Sequence, residues 1–229
     1  MPFLNPISII AILIAVSIHE WAHAITATRL GDPTPGDAGR LSINPLAHLD
    51  LTGALLFLTV GFGWAKPVPI NPLYFHRPKR DICLTAIAGP ASNLILAFAS
   101  FVILIFLGQR EDLSPWALLQ LTATGPVWQI FLIQLLGASL FINLGLMAFN
   151  LLPIAPLDGS KVLQAFIPLR YIEQYEEFMR IGMYILLALF IGELVLGIPS
   201  ISLWVTTIME WVLRGFTAMV TLFFPSEYL

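Results

Sequence analysis

Long apolar runs, separated by short polar segments, dominate this chain and set the first expectation for its fold. One of these runs, about Ile201 to Phe224, contains Glu210 and Arg214, which are four residues apart and can meet on one helical face. This run predicts either a span or an interfacial helix, and we favour a span. The other four are long enough to cross or nearly cross a bilayer: about Phe3 to Thr28, Ile82 to Gly108, Val127 to Asn150, and Ile181 to Gly192 with its continuation past Glu193.

The region between the first two runs follows a different pattern. Leu51 to Phe62 is apolar but short, and two glycines interrupt it, which suits a re-entrant or interfacial element. Trp64 to Pro72 then carries three prolines, which prevent a helix and favour extended chain. Together with Arg40 to Asn44 it could form a hairpin. The pattern therefore predicts an all-α polytopic membrane protein with about five to six membrane segments, a small β-hairpin or sheet, and a re-entrant element before the second full span.

Composition and charge support a membrane class. Hydrophobic residues make up 58% of the chain and charged residues 11%, whereas soluble domains carry about a quarter charged residues. The net charge of −3 is scattered and no basic run occurs, so we expect no nucleic-acid partner. If the 51–62 stretch does not cross, most cationic side chains fall on one side, which should be cytoplasmic. These residues are Arg29, Arg40, Lys66, Arg77, Lys79, Arg80, Lys161 and Arg170.

The candidate chemistry is concentrated in the first apolar run, at His19-Glu20-Trp21-Ala22-His23. A helix advances about 100° per residue, so histidines four apart project from one face and can share a metal, while Glu20 flanks the open coordination position. Two imidazoles and a carboxylate are costly in hydrocarbon unless they pair or serve a function. The motif predicts a zinc-protease centre within a membrane helix; a chance match, or polar groups that face a neighbouring helix, is the alternative.

The two histidines need a third ligand, because catalytic zinc normally takes three protein ligands and leaves a fourth position open. The soluble extended motif would place Gly at position 26 and His at position 29, but the chain has Thr26 and Arg29 there, which points to a distant carboxylate. We favour Asp158, which follows a predicted span and precedes Gly159, although Asp-Gly is also a common turn. The weaker candidates are Glu193, Glu210, His48 and His76.

Five segments together resemble the site-2 protease family of intramembrane zinc metalloproteases, in that family's order. They are HEWAH, GRLSINPLAHLD (Gly39 to Asp50), GWAKPVPINP (Gly63 to Pro72), AGPASN (Ala88 to Asn93) and NLLPIAPLDG (Asn150 to Gly159). The resemblance implies that His19, His23 and Asp158 bind one zinc ion per chain and that Glu20 is the general acid/base. It further implies that Asn93 steadies the substrate carbonyl or its oxyanion, and the alternative is an amide that packs helices together.

The same resemblance implies a compact form without PDZ or CBS domains. We expect a single membrane-embedded protease domain over residues 1–229, with a catalytic core at about 3–165 and additional C-terminal membrane helices at about 174–225. The expected localisation is the cell membrane, with several passes and with the active site towards the cytoplasmic side. The expected partners are the lipid bilayer and the transmembrane segments of substrate proteins; the sequence makes no prediction of the oligomeric state.

The expected function is hydrolysis of peptide bonds within transmembrane segments, as in regulated intramembrane proteolysis. An unwound substrate could pair with the free edge of the extended segment. The predicted substrate-binding residues are Trp64, Ala65, Lys66, Pro67, Val68 and Pro69. Two other classes stay open, namely a zinc or proton transporter that uses the same His/Glu/Asp cluster and an inactive membrane scaffold or chaperone that binds transmembrane segments without cutting them.

Overall fold

A computed structural model describes residues 5–60, 63–107 and 125–223 of the chain. The predicted run ends Phe3, Phe62, Gly108 and Phe224 lie outside these residues. Two short 3₁₀ turns, Pro72–Tyr74 and Leu169–Tyr171, lie between longer elements. The described helices are, in chain order, α1 (Pro6–Arg29), α2 (Thr34–Asp37), α3 (Pro45–His48), α4 (Leu51–Val60), α5 (Pro78–Phe106), α6 (Val127–Asn150), α7 (Asp158–Phe166), α8 (Ile172–Arg180), α9 (Gly182–Leu196) and α10 (Ile201–Phe223).

Three helices, α1, α5 and α6, form the centre of the fold, and each packs against the other two. Where α1 meets α6, the small residues Ala11 and Ala15 are buried against Ala138 and Ile142. Small side chains allow the backbones of membrane helices to approach closely. Because α1 also lies along α5, the histidine motif of α1 faces the AGPASN stretch of α5.

A larger apolar core lies where α10 packs against α5 and α6. Phe101 of α5 and Leu140 of α6 are fully buried there, and the rings of Phe101 and Phe216 lie 5.5 Å apart between centroids. Trp204, at the start of α10, donates its indole N–H to the carbonyl oxygen of Ala148 at 2.8 Å. One face of α10 is therefore joined to the central helices.

Local sequence signals determine where α1 and α5 begin, and both helices have proline at the first helical position. A proline fits there because the N–H that it lacks would have no intrahelical partner. Before α1, the side chain of Asn5 accepts a hydrogen bond from the backbone N–H of Ile7 at 3.0 Å, which is an N-cap. Before α5, the N–H of Arg77 donates to the Asp81 carboxylate at 2.9 Å. These local contacts mark where the two helices begin.

The predicted β-hairpin or sheet is wrong, because the described residues contain no strand. The segment Arg40 to Asn44 leads into α3 instead of pairing with residues 64–71. The side chain of Asn44 caps α3 by accepting a hydrogen bond from the N–H of Leu46 at 3.1 Å. An asparagine followed by proline is a helix-start signal, and here it prevails over strand pairing.

Residues 64–71 are extended, as predicted, but they have no partner strand within the described part of the chain. Pro67 and Pro69 lack the N–H groups that a β-ladder needs. The N–H of Lys66 donates instead to the carbonyl oxygen of His48 at 2.8 Å. The segment therefore keeps an extended shape through single contacts with its surroundings and not through a sheet.

Within the part of the chain that the structure describes, the candidate spans number three or four, fewer than the predicted five to six membrane segments. Over the described ranges, α1, α5 and α6 are long and apolar enough to cross a membrane, and α8 with α9, which are bent by 48° relative to each other, would add a fourth span if they count as one. Helix α4 is too short for a straight crossing, because its 10 residues extend about 15 Å at 1.5 Å per residue and a crossing needs about 30 Å.

Helix α10 is continuous, but it is not among the candidate spans. Its Glu210 and Arg214 are exposed, and their charged atoms lie 3.9 Å apart. This charged face disfavours the predicted span and agrees with the interfacial alternative.

The turn between α6 and α7 brings the first residue of α7 back to the central helices. Gly159 lies against the carbonyl groups of Leu151 and Leu152, where an added Cβ would collide. The hydroxyl of Tyr175, in α8, donates to the carbonyl oxygen of Ser160 at 2.6 Å. The Asp-Gly pair is therefore a packed helix start, with the aspartate side chain directed towards α1.

Candidate metal centre

His19 and His23 lie one turn apart on the buried face of α1, with their Nε2 atoms 3.0 Å apart. The opposite nitrogen of each ring meets α5. Nδ1 of His23 donates to the carbonyl oxygen of Thr85 at 2.7 Å, and Nδ1 of His19 donates to Oδ1 of Asn93 at 2.6 Å. A carbonyl oxygen can only accept, so Nδ1 of His23 carries the proton and Nε2 keeps its lone pair. Both rings thus direct a metal-binding nitrogen to the same point.

Asp158, the first residue of α7, completes the cluster. Its Oδ2 lies 3.2 Å from Nε2 of both His19 and His23, and its Oδ1 lies 3.8 Å from Nζ of Lys161, one turn further along α7. A carboxyl group of ordinary acidity is ionised at neutral pH, and the ammonium group of Lys161 beside Oδ1 favours that ionised form. Asp158 therefore offers an ionised oxygen to a metal.

The three atoms fit a zinc ion by distance and by chemistry. Ligand atoms about 2.0–2.1 Å from a tetrahedral zinc lie about 3.3 Å from one another, and the separations here are 3.0, 3.2 and 3.2 Å. Two imidazole lone pairs and a carboxylate oxygen are three acceptors that would repel one another without a cation between them. Over the described residues, His19, His23 and Asp158 form the one group of this kind.

Gly89 of α5 allows α1 and α5 to meet at the cluster. A Cβ at position 89 would lie 2.6 Å from Cε1 of both His19 and His23, and closer still to Nε2 of His23. Real Cβ atoms do not approach ring atoms so closely, so the rings occupy the space that any other side chain would need. The packing of the two histidine rings therefore requires the glycine of the AGPASN motif.

Glu20 lies next to the cluster on α1 and contacts the extended segment. Its Oε2 accepts a hydrogen bond from the N–H of Val68 at 3.3 Å. Further along, the N–H of Asn71 donates at 2.8 Å to the carboxylate of Asp32, which is fully buried. Two hydrogen bonds from its backbone thus hold the extended segment next to Glu20.

The predicted substrate-binding residues differ in exposure. The side chain of Val68 is buried and that of Ala65 is half-buried, so neither presents a large free surface. The exposed members are Trp64, Lys66, Pro67 and Pro69. The extended segment therefore has one side against the protein and one side that is open.

Asn93 lies behind His19, and its side chain is 0% exposed. While Oδ1 accepts from His19, Nδ2 donates to Oδ1 of Asn143 at 2.8 Å and to the carbonyl oxygen of Ala15 at 3.3 Å. Both ends of the amide are therefore used within the protein. The predicted oxyanion role needs a free N–H and stays a prediction. The observed contacts instead hold the metal ligand His19 in place.

A family model described as peptidase family M50 matches residues 63–192, which is more than half of the chain. The chain belongs to peptidase family M50, the site-2 protease family. The matched stretch contains Asn93 and Asp158, and the histidine pair lies on its N-terminal side.

Several relatives of this M50 peptidase share much of its length. "Putative zinc metalloprotease YwhC" of Bacillus subtilis is 37% identical over 191 residues, which are 83% of this chain and 83% of the relative. "Putative zinc metalloprotease Rip2" of Mycolicibacterium smegmatis is 33% identical over 66% of this chain and 54% of its own length. "Putative zinc metalloprotease MJ0611" of Methanocaldococcus jannaschii is 28% identical over 69% of each chain. No solved structure matches the chain significantly.

Family membership and geometry together define the general activity. The M50 chain is a metalloprotease whose cofactor is Zn²⁺, and His19, His23 and Asp158 form the cluster that would hold the ion. Its long apolar helices make it a multi-pass membrane protein. The predicted family, cofactor and protease class are confirmed.

The weaker candidates for the third ligand lie away from the cluster of this M50 peptidase. Glu193 caps the start of α10, where its Oε2 accepts backbone hydrogen bonds at 2.9 and 3.1 Å. His48 is buried, with Nε2 2.6 Å from the carbonyl oxygen of Ser42, and both Glu210 and His76 are exposed. The structure therefore brings Asp158, and none of these four, to the histidine pair.

Two parts of the site were missed by the sequence predictions. One is Asn143, a fully buried amide in α6 that contacts Asn93. An amide in a long uncharged membrane run is a usable signal, because polar groups in such helices need partners. The other is the carbonyl oxygen of Thr85, for which no sequence signal exists because every residue has a backbone carbonyl.

Proposed function

We propose that this M50 peptidase is an intramembrane endopeptidase that cleaves peptide bonds within transmembrane segments of other membrane proteins. The observation that carries the proposal is the location of the cluster. His19 and His23 lie within α1, a helix long and apolar enough to span a membrane, and Asp158 reaches them from the start of α7. A peptide bond would have to come from a chain at or within the bilayer to reach these residues.

The proposed chemistry assigns a proton-transfer role to Glu20. When bound, zinc supplies Lewis-acid chemistry, which polarises the scissile carbonyl and lowers the pKa of water towards about 7. Glu20 takes a proton from the attacking water as the water oxygen bonds to the carbonyl carbon. Glu20 then passes that proton to the leaving amine as the C–N bond breaks. The hydrogen bond from Val68 to Oε2 orients the Glu20 carboxylate, and we assign the proton transfer to its other oxygen, Oε1.

We also propose that the substrate unwinds and lies along residues 64–69. A helical peptide bond is shielded by its own hydrogen bonds, so an unwound segment needs replacement partners. Lys66 and Val68 already donate their N–H groups to His48 and Glu20, and Pro67 and Pro69 have none to donate. The free edge therefore offers mainly carbonyl acceptors, to which the N–H groups of a substrate would donate.

We propose that the site faces the cytoplasmic side of the cell membrane. Arg29 ends α1, while Arg77 and Lys79 lie at the start of α5. The ammonium group of Lys79 donates to the carbonyl oxygen of Ile167 at 2.9 Å, so the region after α7 lies at the same end of the fold. Cationic residues favour the cytoplasmic side of a membrane protein, which supports this orientation.

The test uses purified full-length protein in proteoliposomes with a model transmembrane peptide that contains helix-breaking residues. Mass spectrometry should find products cut within the apolar segment, and metal analysis should find about one zinc per chain, the usual content of a three-ligand catalytic site. Glu20→Gln should retain zinc and lower cleavage by at least about 10²-fold, because general-base catalysis is lost.

The control is Glu210→Gln, which removes a carboxylate that is exposed and distant from the cluster. This variant should cut like the wild type. Undiminished cleavage by Glu20→Gln would contradict the role of Glu20. Zinc transport across the proteoliposome membrane without any cleavage would contradict the protease proposal and support the transporter alternative.

A further inference from the structure

A chain of buried amides extends from the metal centre into α6. Asn93 donates from Nδ2 to Oδ1 of Asn143, and both side chains are 0% exposed. Asn143 in turn donates from Nδ2 to the carbonyl oxygen of Ser139 at 2.8 Å and to its hydroxyl oxygen at 3.2 Å. Three successive hydrogen bonds thus connect a backbone carbonyl of α6 with Nδ1 of His19.

The direction of this chain is determined by the two backbone carbonyls that it contacts. The Ser139 carbonyl oxygen can only accept, so the NH₂ group of Asn143 must face it, and Oδ1 of Asn143 must face Asn93. The Ala15 carbonyl oxygen and Oδ1 of Asn143 both require the NH₂ group of Asn93. Oδ1 of Asn93 must therefore face His19, where it accepts a hydrogen bond from the N–H at Nδ1.

We propose that Asn143 is a positioning residue of the metal centre, which acts through Asn93 to keep the proton of His19 on Nδ1 and the lone pair of Nε2 directed at the metal. The inference depends on the zinc site and not on the substrate class put forward above. Partners behind a ligating histidine fix its tautomer and ring orientation. Here the partner itself is oriented by a second amide on another helix.

Loss of the Asn143 acceptor would open a competing arrangement. Nδ2 of Asn93 would keep only the carbonyl oxygen of Ala15, at 3.3 Å. The amide of Asn93 could then turn and donate to Nδ1 of His19, which would move the imidazole proton to Nε2. Since a protonated Nε2 cannot bind a metal, zinc binding would have to reverse this arrangement first, and the apparent affinity would fall.

The test compares metal binding by full-length Asn143→Leu and wild-type protein. Chelator competition should show zinc affinity lowered about tenfold, at the lower end of the effect of losing a partner behind a metal ligand. The absorption bands of the cobalt-loaded protein should also shift, because the His19 ring is less constrained. Neither measurement uses a peptide substrate, so failure of the proposed intramembrane cleavage would leave this test intact.

Two further variants separate positioning from packing. Ser100→Ala removes the hydroxyl that donates to the Ser139 hydroxyl at 3.1 Å, in the same α5–α6 contact, but it leaves the carbonyl of Ser139 in place. It should bind zinc like the wild type. Asn143→Asp should restore most of the affinity, because a buried neutral carboxylic acid can donate to the Ser139 carbonyl and accept from Asn93 as the amide does.

Wild-type zinc affinity and an unshifted cobalt spectrum in folded Asn143→Leu would overturn the proposal. If that variant does not fold, Asn143→Ala removes the same acceptor without added bulk and carries the same expectation. Nitrogen NMR of the zinc-loaded wild type, which has four histidines, gives a test that needs no variant. It should show a proton on Nδ1 of His19 that exchanges slowly with water, and a bare or rapidly exchanging Nδ1 would also overturn the proposal.

Discussion

The two histidines of the metal centre are one turn apart on α1, but α5 supports them in different ways. Near the start of α5, the backbone carbonyl of Thr85 accepts a hydrogen bond from Nδ1 of His23. Two turns further along, the side chain of Asn93 accepts a hydrogen bond from Nδ1 of His19 and depends on Asn143 for its own orientation. One support is thus independent of side-chain identity, and the other can be removed by substitution.

Because the two supports differ in kind, side-chain substitutions can remove one of them and not the other. A carbonyl oxygen of an α-helix is held by the helix itself, so it survives most replacements at its position. A buried amide can turn and can be replaced, and its effect on the metal depends on every partner it has. Substitutions along α5 should therefore have unequal effects on zinc binding.

The largest effect is expected for Gly89→Ala, because this substitution would displace both histidines. The added Cβ would overlap both rings, so we expect zinc binding and cleavage to be lost. Metal analysis of the purified variant checks this. Gly145→Ala in α6 is the matched control, because a Cβ there meets nothing within 4 Å, and it should bind zinc normally. Equal zinc content in both variants would contradict the steric explanation.

An intermediate effect is expected for Asn93→Leu, which removes the side-chain support of His19 alone. Zinc affinity in chelator competition should fall about 10- to 100-fold, the range for partners of metal ligands. The same experiment distinguishes the two roles of Asn93. Lost cleavage of a model peptide at unchanged zinc affinity would favour the oxyanion role instead.

The smallest effect is expected for Thr85→Val, at the support of His23. The substitution keeps the backbone carbonyl and the branched shape, and it removes only the hydroxyl that donates to the carbonyl oxygen of Asp81. Zinc affinity should stay within about threefold of the wild type, less than 1 kcal/mol. A loss as large as that of Asn93→Leu would show that His23 is not held by the backbone as described.

The apolar pattern predicted the central helices well, whereas it failed for the segment between them. The observed α6 has the predicted bounds, Val127–Asn150, because an uncharged run of this length has few alternatives to a helix. Arg40 to Asn44 and Trp64 to Pro72 were expected to pair as strands. Short segments of this kind take their structure from whichever partner is near, and here the partners are the α3 cap, His48, Glu20 and Asp32.

The charged pair of α10 illustrates the same limit of local pattern. Length alone favoured a span for about Ile201 to Phe224, and the spacing of Glu210 and Arg214 allowed two interpretations. In the structure one face of α10 packs on Phe101 and its neighbours while the charged pair is exposed. Which face is covered depends on α5 and α6, so the pattern of α10 by itself could not decide it.

The order of amino acids was enough to identify the histidine pair and the candidate base, because helix geometry puts residues 19 and 23 on one face whatever surrounds them. The motifs also pointed to Asp158 and Asn93, but only the packing of the helices shows how these residues contact the pair. Asp158, Asn93 and Asn143 are distant from that pair along the chain, and their contacts with it or with one another depend on how α5, α6 and α7 pack. The spacing of residues along a single helix carries no information about the orientation of a side chain on another.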